Sequence, residues 1–152
     1  MLSKKSKYAL KALLVLAKEH GQGLVQIADI SGREHIPQKF LELILLELKN
    51  QGFLQSRKGK GGGYSLRKSP TAISMGAVIR VLEGPLAPLP CVSRTAYVRC
   101  QECRDERTCG LRLVMKDVRD ATAKILDSTT LADMLKRVEL AVEGKGAFSY
   151  SI

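Results

Sequence analysis

The chain has 152 residues, of which 45% are hydrophobic and 26% charged, a composition that excludes global disorder and fits one domain or a small domain with an oligomerisation arm. Aromatic residues are only 5% and tryptophan is absent, which argues against a stacking platform for single-stranded nucleic acid. The net charge is +10, and residues 1–70 hold 13 Lys and Arg against 5 Asp and Glu. Such a basic half is typical of phosphate binding, although a solvated basic face has the same composition.

We expect a cytoplasmic protein without a membrane partner. The N-terminal lysines are not followed by an apolar segment with a cleavage site, and no apolar run reaches the roughly 18 residues of a membrane span. In a reducing cytoplasm, cysteines serve as metal ligands or redox switches more often than as structural disulfides.

The first half of the chain predicts three helices. Apolar residues recur at three- and four-residue spacing over residues 5–19, a short second helix covers residues 25–31, and Gly32 suits a tight corner after it. The third helix opens at Ile36-Pro37, with proline at its first position, and continues to Asn50. Its exposed N-terminal end, where a recognition helix meets base edges, has three polar residues: Gln38, Lys39 and Glu42.

Residues 52–66 predict a β-hairpin, because two short apolar–polar alternations flank a glycine-rich turn. Arg57, Lys58 and Lys60 lie at its tip, where they are placed for phosphate or minor-groove contact. A phosphate-binding loop would also be rich in glycine, but no Gly-Lys-Ser/Thr follows and no helix begins there. Three helices and a basic hairpin in this order predict a winged helix-turn-helix DNA-binding domain over residues 1–70.

The second half predicts a linker helix over residues 74–83 and a long helix from Leu111 to about Leu126. The broad apolar stripe of the long helix can pack within the chain or pair with a second copy. Thr130 to Asp133 predict a capping box that starts a final helix, and residues 144–152 show no clear structure. We therefore predict a mainly α fold with a small β-hairpin: a winged helix, then a linker helix and dimerisation helices over residues 71–143, and a tail over 144–152.

All four cysteines lie in a loop over residues 89–110. They occupy a stretch of 19 residues with the pattern C-x8-C-x2-C-x5-C. Thiolates are soft ligands that suit zinc or an iron–sulfur cluster. Arginines in the loop are expected to lower the pKa of these thiols. The spacing predicts a metal site at Cys91, Cys100, Cys103 and Cys109, and leaves iron–sulfur, zinc and a thiol–disulfide switch open. The arginines in question are Arg94, Arg99, Arg104 and Arg107.

These stretches resemble the IscR/NsrR family of bacterial winged-helix regulators (the Rrf-two family). The resemblance is found in Lys7-Tyr8-Ala9-Leu10, in residues 36–48 with Phe40-Leu41-Glu42, in the Gly-Gly-Tyr of the hairpin over residues 59–64, and in the spacing of Cys103 and Cys109 before a long helix. It covers residues 1–135, almost the whole chain.

The resemblance implies a homodimer with crossed long helices that binds a near-palindromic double-stranded operator. It also implies a redox-sensing iron–sulfur cluster, [2Fe–2S] or [4Fe–4S], held by residues matching Cys91, Cys103 and Cys109. Glu42 falls where some members discriminate between operators, and a carboxylate there can accept from cytosine N4. The residues expected to bind DNA are Lys5, Gln38, Lys39, Phe40, Glu42, Arg57, Lys58, Lys60, Gly62 and Tyr64.

The chain departs from the family at the cysteine loop. Eleven residues separate Cys91 from Cys103, more than in the family's usual loop, and Cys100 is an extra thiol within that expansion. Arg112 stands where some members supply a histidine ligand. Cys100 is the first candidate for the fourth ligand, and the lesser candidates are Glu102, Asp105 and Glu106.

Other functions fit less well. The only histidines, His20 and His35, lie far from the cysteines in sequence, and no nucleotide-binding or hydrolase motif is present, so we expect no enzyme. A basic RNA-binding or ribosome-associated protein is an alternative, because winged helices are reused widely.

Overall fold

The computed structural model describes residues 2–148 of the chain, and the side chains of residues 2–145. Helices and strands follow one another throughout this range. The helices and strands are α1 (Lys4–Lys18), α2 (Ile27–Glu34), α3 (Gln38–Asn50), β1 (Leu54–Arg57), β2 (Gly63–Leu66), α4 (Met75–Glu83), α5 (Gly110–Ser128) and α6 (Leu131–Phe148). Single turns of 3-10 helix lie at Pro70–Ala72 and Pro90–Val92. The predicted fold class, mainly α with one small hairpin, is confirmed.

Helix α1 lies at the centre of the core. The Ser3 hydroxyl caps its first turn by accepting from the Ser6 amide at 3.1 Å. One side of the helix is buried over its length, and it packs against α2, α3, α4, α6 and β2. This packing places α3 on one side of α1 and the C-terminal helix α6 on another.

The second helix was predicted over residues 25–31, but it starts two residues later and continues to Glu34. Val25 lies outside the helix because its amide donates to the Tyr64 carbonyl and its carbonyl accepts from the Tyr64 amide, both at 2.8 Å. Gly32 lies inside the helix, and the corner is made instead by His35, whose φ of 54° is left-handed. The Ser31 hydroxyl donates to the Ile36 carbonyl at 2.6 Å and fixes this turn.

The predicted hairpin is confirmed as β1 and β2, which pair antiparallel with Leu54 opposite Leu66 and Arg57 opposite Gly63. Gly63 has a φ of 150°, and a Cβ there would lie 2.4 Å from the Val25 carbonyl oxygen. Only glycine lets the hairpin backbone come this close to Val25. The close contact allows Val25 to pair with Tyr64, which joins the hairpin to the start of α2.

The predicted linker, long and final helices are confirmed as α4, α5 and α6. The Thr130–Asp133 capping box is present, since the Thr130 amide donates to the Asp133 carboxylate at 2.9 Å and the Asp133 amide donates to the Thr130 hydroxyl at 3.1 Å. Helix α6 continues to Phe148, so the expectation of no structure is wrong for residues 144–148. Residues 149–152 of the predicted tail lie outside the described part of the chain.

The two halves of the chain are joined by backbone pairing as well as by packing. The Met75 amide donates to Thr129 O at 2.8 Å, and the Leu131 amide donates to Ile73 O at 2.9 Å. Leu131 is fully buried, so α6 begins against the winged helix. None of the helices over residues 2–148 has the length and apolar character needed to cross a bilayer.

Candidate DNA-binding face and cysteine pocket

Helix α3 buries one side and exposes the other. Leu41, Ile44, Leu45 and Leu48 face the core. Residues three or four positions apart share one face of a helix, so these four side chains face the core and the residues between them point outwards. Gln38, Lys39 and Glu42 are all exposed there, as the sequence predicts.

Two of the other predicted DNA-binding residues have contacts within the fold. Lys5 lies on α1 and its Nζ pairs with the Glu47 carboxylate at 2.5 Å. Phe40 packs edge-on against Tyr8 with 5.7 Å between ring centroids, so its ring joins α3 to α1 while part of it stays exposed. Both lie near the exposed side of α3, and their part in DNA binding stays a prediction.

The hairpin places Arg57, Lys58 and Lys60 in exposed positions beside α3. A groove of about 450 Å³ lies between α2, α3 and the hairpin, and its lining includes Gln38, Arg57, Lys58, Gly62 and Tyr64. Gly62 is buried, and a Cβ there would lie 2.1 Å from the Arg57 carbonyl oxygen. Gly62 and Tyr64 therefore shape the hairpin through their backbones. The three cations are exposed, and Arg57 Nη2 also donates to the Gly61 carbonyl oxygen at 3.3 Å.

The four cysteines surround one open pocket of about 600 Å³. The pocket lies between the loop and the start of α5, and Leu89, Pro90, Val98 and Leu111 form apolar parts of its wall. Cys91 is buried, the other three are half-buried, and all four are free thiols. The structure thus brings together the four residues that the sequence predicts as ligands.

Arginines of α5 hold the start of this loop. Arg112 Nε donates to the Cys91 carbonyl oxygen at 3.3 Å, and Arg119 Nη1 donates to that of Val92 at 2.5 Å. These two hydrogen bonds were not predicted from the sequence. The available signal was that Arg112 and Arg119 are seven residues apart and therefore share one face of the helix.

The lowering of thiol pKa values that was expected from the loop arginines is not found at Cys100 or Cys103. The pKa of Cys100 is raised, chiefly because its thiol donates to the Glu102 carboxylate at 3.1 Å. The pKa of Cys103 is raised by partial burial and then by the neighbouring Cys109 and Cys100. Arg94 and Arg107 are instead paired with Asp120 and Asp105.

The pocket suits a metal or an iron–sulfur cluster in donor chemistry. Four thiols line it together with Glu102 and Glu106, and thiolates are the ligands that such centres prefer. No three of these side chains stand in coordinating geometry in the described part of the chain, so the loop would have to draw them together. Arg112 also lines the pocket but has no lone pair to offer. Of the three lesser candidates for the fourth ligand, Glu102 and Glu106 line the pocket, whereas Asp105 does not and accepts from the Arg107 amide.

Helix α5 exposes its apolar stripe. The helix has no buried residue along its 19 positions, although Leu126 is half-buried against the core. Four apolar side chains on one face of the helix are exposed in the single chain: Leu111, Val114, Val118 and Ile125. A contiguous apolar face of this kind marks an interaction surface.

Comparison with known proteins gives one consistent family. The model of the Rrf2 family, described as an iron-dependent transcriptional regulator, matches residues 2–137. An rrf2-like HTH-type transcriptional regulator of Rhodobacter capsulatus is 46% identical over 138 residues, which is 89% of this chain and 92% of that protein. The structure of CymR, the global cysteine regulator of B. subtilis, is similar with a TM-score of 0.76 and 34% identity, covering 90% of this chain and 97% of CymR. The structure of T. potens IscR has a TM-score of 0.73 and 31% identity, with 93% and 90% covered.

Proposed function

The chain belongs to the Rrf2 family of transcriptional regulators, and we propose that it is a homodimeric, cytoplasmic regulator that binds a DNA operator under the control of an iron–sulfur cluster in the cysteine pocket. Relatives of this chain are named as transcriptional regulators, which confirms the expectation that it is not an enzyme. The four free thiols around one pocket, directly before α5, are the observation on which cluster control rests.

In the proposed complex, α3 lies in the major groove and the hairpin contacts the flanking backbone. The exposed Gln38, Lys39 and Glu42 reach base edges, and the cations of the hairpin neutralise phosphates and release counterions. Four of the 13 Lys and Arg residues of the first half, Lys39, Arg57, Lys58 and Lys60, lie on this face.

The apolar stripe of α5 is the proposed dimer interface. Pairing two copies along this stripe would bury side chains that the single chain leaves exposed. A two-fold dimer would present two copies of α3, as a near-palindromic operator requires.

Cys91, Cys103 and Cys109 are the proposed cluster ligands, with Cys100 as the fourth. When bound, an iron–sulfur cluster supplies iron that can change its oxidation state or be lost. The apolar wall of the pocket limits water around the thiols, and Arg112 and Arg119 keep the Cys91 end of the loop against α5.

A chain of contacts links this loop to the DNA-binding half. Arg80 of α4 makes two hydrogen bonds with Asp127 of α5, at 2.5 and 2.9 Å. Glu83 at the end of α4 accepts from the Ser3 amide, ahead of α1, at 2.7 Å. Ordering the loop would therefore bias α5, then α4, then the winged helix, and a typical allosteric coupling of about 1–3 kcal/mol would change operator affinity about 5- to 150-fold.

Anaerobic purification tests the cluster. We expect iron, acid-labile sulfide and visible absorption in the wild-type protein, and the loss of all three in Cys103→Ser. Thr108→Ala, a polar change in the same loop, is the control and should keep them. Iron-free wild-type protein, with zinc or no metal in its place, would contradict cluster control while leaving DNA binding intact.

Charge reversal tests the DNA-binding face. Replacing Lys39, Arg57 and Lys60 by glutamate should weaken duplex binding strongly and lower the salt dependence by about one unit for each lost phosphate contact. Lys136→Glu on α6, which changes the net charge by two units, is the control for each of the three substitutions made singly. Unchanged duplex affinity in the triple variant would overturn the regulator mechanism proposed here.

A thiol switch is the second candidate, supported by Cys103 and Cys109, which line the same pocket as free thiols. Mild oxidation of metal-free protein would then link two thiols and change operator affinity. Mass spectrometry of the oxidised protein, together with zinc analysis, separates a switch, a structural zinc site and a cluster.

A further inference from the structure

The outward face of α3 has an apolar centre. Leu43 is 66% exposed and Leu46 is 48% exposed, whereas the core-facing residues of the same helix are buried. Lys39, Leu43, Leu46 and Asn50 follow one another at spacings of four, three and four, so they share the face opposite the core. Two leucines therefore stand where an amphipathic helix of a lone chain would have polar residues.

Leu43 and Leu46 are not equivalent. Leu46 lines the groove between α2, α3 and the hairpin, beside Lys49 and Tyr64. Leu43 lies one turn nearer the N-terminus of α3, outside that groove, and is the more exposed of the two. Its neighbours in sequence and on the helix face are Glu42 and Lys39, both exposed.

We propose that Leu43 is a specificity residue that contacts the 5-methyl group of a thymine in each operator half-site. This inference rests on the proposed function, which places α3 in the major groove. Isolated exposed leucines are common on protein surfaces. Leu43 shares the outward face of α3 with Lys39 and Leu46, and Leu46 lines the groove beside the basic hairpin. These positive charges around Leu43 are the reason for which we assign DNA to this face.

The chemistry of the major groove selects thymine. Each base edge there presents hydrogen-bond donors or acceptors, and the thymine methyl is the apolar group among them. A leucine side chain can neither donate nor accept a hydrogen bond. Pressed against cytosine or guanine it would desolvate polar atoms without replacing their bonds, and against thymine it covers a methyl group.

The flanking charges fit this occupant. Lys39 precedes Leu43 by one turn on the same face, and Arg57 and Lys58 line the adjacent groove. This face of the protein thus has cations around an apolar centre. The cations can contact the phosphates at the rims of the major groove while the apolar centre meets a methyl group on its floor. A second copy of this basic face would meet it with like charge.

The test compares thymine with uracil, which lacks only the methyl group. Footprinting with the full-length protein first defines the operator, and each symmetric pair of thymines is then replaced by uracil. For the wild-type protein one such replacement should lower affinity by about fourfold per half-site, the value of one buried methyl. Leu43→Ala should bind the thymine and uracil duplexes equally at that position.

Leu140→Ala is the matched protein control, because Leu140 is a similarly exposed leucine on α6, 57% accessible. It should keep the thymine preference of the wild-type protein. Alanine favours helix at the exposed position 43, so circular dichroism and melting of Leu43→Ala should match the wild type.

Each contrary result has a distinct meaning. Specific wild-type binding with no thymine preference at any position overturns the role of Leu43 alone. A change of oligomeric state in Leu43→Ala with an unaltered thymine preference assigns the two leucines to a second copy and overturns it too. Failure of the wild-type protein to prefer any duplex overturns the proposed function itself.

Discussion

The winged helix and the α5 arm bury their apolar residues to very different extents. In the first, Leu13, Leu41 and Leu45 are fully inaccessible. In the second, α5 has no buried residue, and the apolar side chains of its stripe are 44–60% exposed. The winged helix completes its core within one chain, whereas the arm needs another surface to complete its own.

The polar contacts of the two regions also differ. Ion pairs of the winged helix, such as Lys11–Glu34 and Arg33–Glu19, lie on the surface, where a pair contributes about 0–1 kcal/mol. In the arm, Arg112 and Arg119 hold backbone carbonyls of the cysteine loop. Apolar burial therefore holds the DNA-binding half together, whereas the start of the cysteine loop is held to α5 by polar contacts.

The largest effect should come from the core of the winged helix. Leu45→Ala removes a fully buried side chain and should lower the free energy of unfolding by about 2–5 kcal/mol, since it leaves a cavity. Leu43→Ala on the exposed side of the same helix should change it by less than about 0.5 kcal/mol. Urea denaturation at one protein concentration measures both, and equal losses would contradict the division into a buried and an outward face.

A charge on the stripe of α5 should break the dimer rather than the fold. Val118→Glu would place a carboxylate in the apolar interface and should weaken dimerisation by at least about thirtyfold, with little change in the helix content of the monomer. Lys116→Glu, on the opposite face of α5, is the control. If sedimentation shows Val118→Glu and Lys116→Glu dimerising alike, the stripe is not the interface.

Gly76 tests the contact between α4 and α5. A Cβ at this position would lie 2.0 Å from Asp127 Oδ1 and 3.0 Å from Arg80 Nη1, so Gly76→Ala must displace the ion pair. Both atoms are the ends of exposed, flexible side chains, so the pair can shift at little cost. We expect the free energy of unfolding to change by less than about 1 kcal/mol and the cysteine site to have a weaker effect on operator affinity. Gly32→Ala, in a helix with open space around it, should instead gain about 0.5–1 kcal/mol. If the effect of the cysteine site on operator affinity is unchanged in Gly76→Ala, the Arg80–Asp127 pair does not transmit it.

Periodicity and turn residues were sufficient to predict most of the fold. Local signals of this kind mark α1, α3, the hairpin and the capping box of α6, because each depends on residues close in sequence. The start of α2 was wrong because Val25 pairs with Tyr64, far along the chain, and helix periodicity does not report such a pairing. The corner after α2 was predicted at Gly32, because glycine adopts a left-handed backbone most readily, and the structure has it at His35 instead.

The sequence was sufficient to predict which thiols form the cysteine pocket, but not which charged residues surround them. Four clustered cysteines indicated a shared site, and the structure gathers them around one pocket. The arginines were expected to lower thiol pKa values because they are near in sequence, but Arg94 faces Asp120, 26 residues away. Which charge faces which thiol is set by tertiary packing, and sequence distance does not determine it.

The smallest expected effect is the acid sensitivity of the joint between α1 and α4. Hydrogen bonds from the Ser3 hydroxyl, Ser6 and the Ser3 amide lower the pKa of Glu83 from 4.5 to about 2. A lowered carboxyl pKa stabilises the folded state above the unfolded pKa, and that stabilisation is lost as pH falls from about 4.5 to about 2. Glu83→Gln should therefore melt at most a few degrees below the wild type at neutral pH, because the carboxylate is exposed, and the difference should vanish near pH 2. Glu139→Gln on α6 is the control, and a gap between Glu83→Gln and wild type that stays constant from pH 6 to pH 2 would show that the Glu83 carboxylate does not hold this joint.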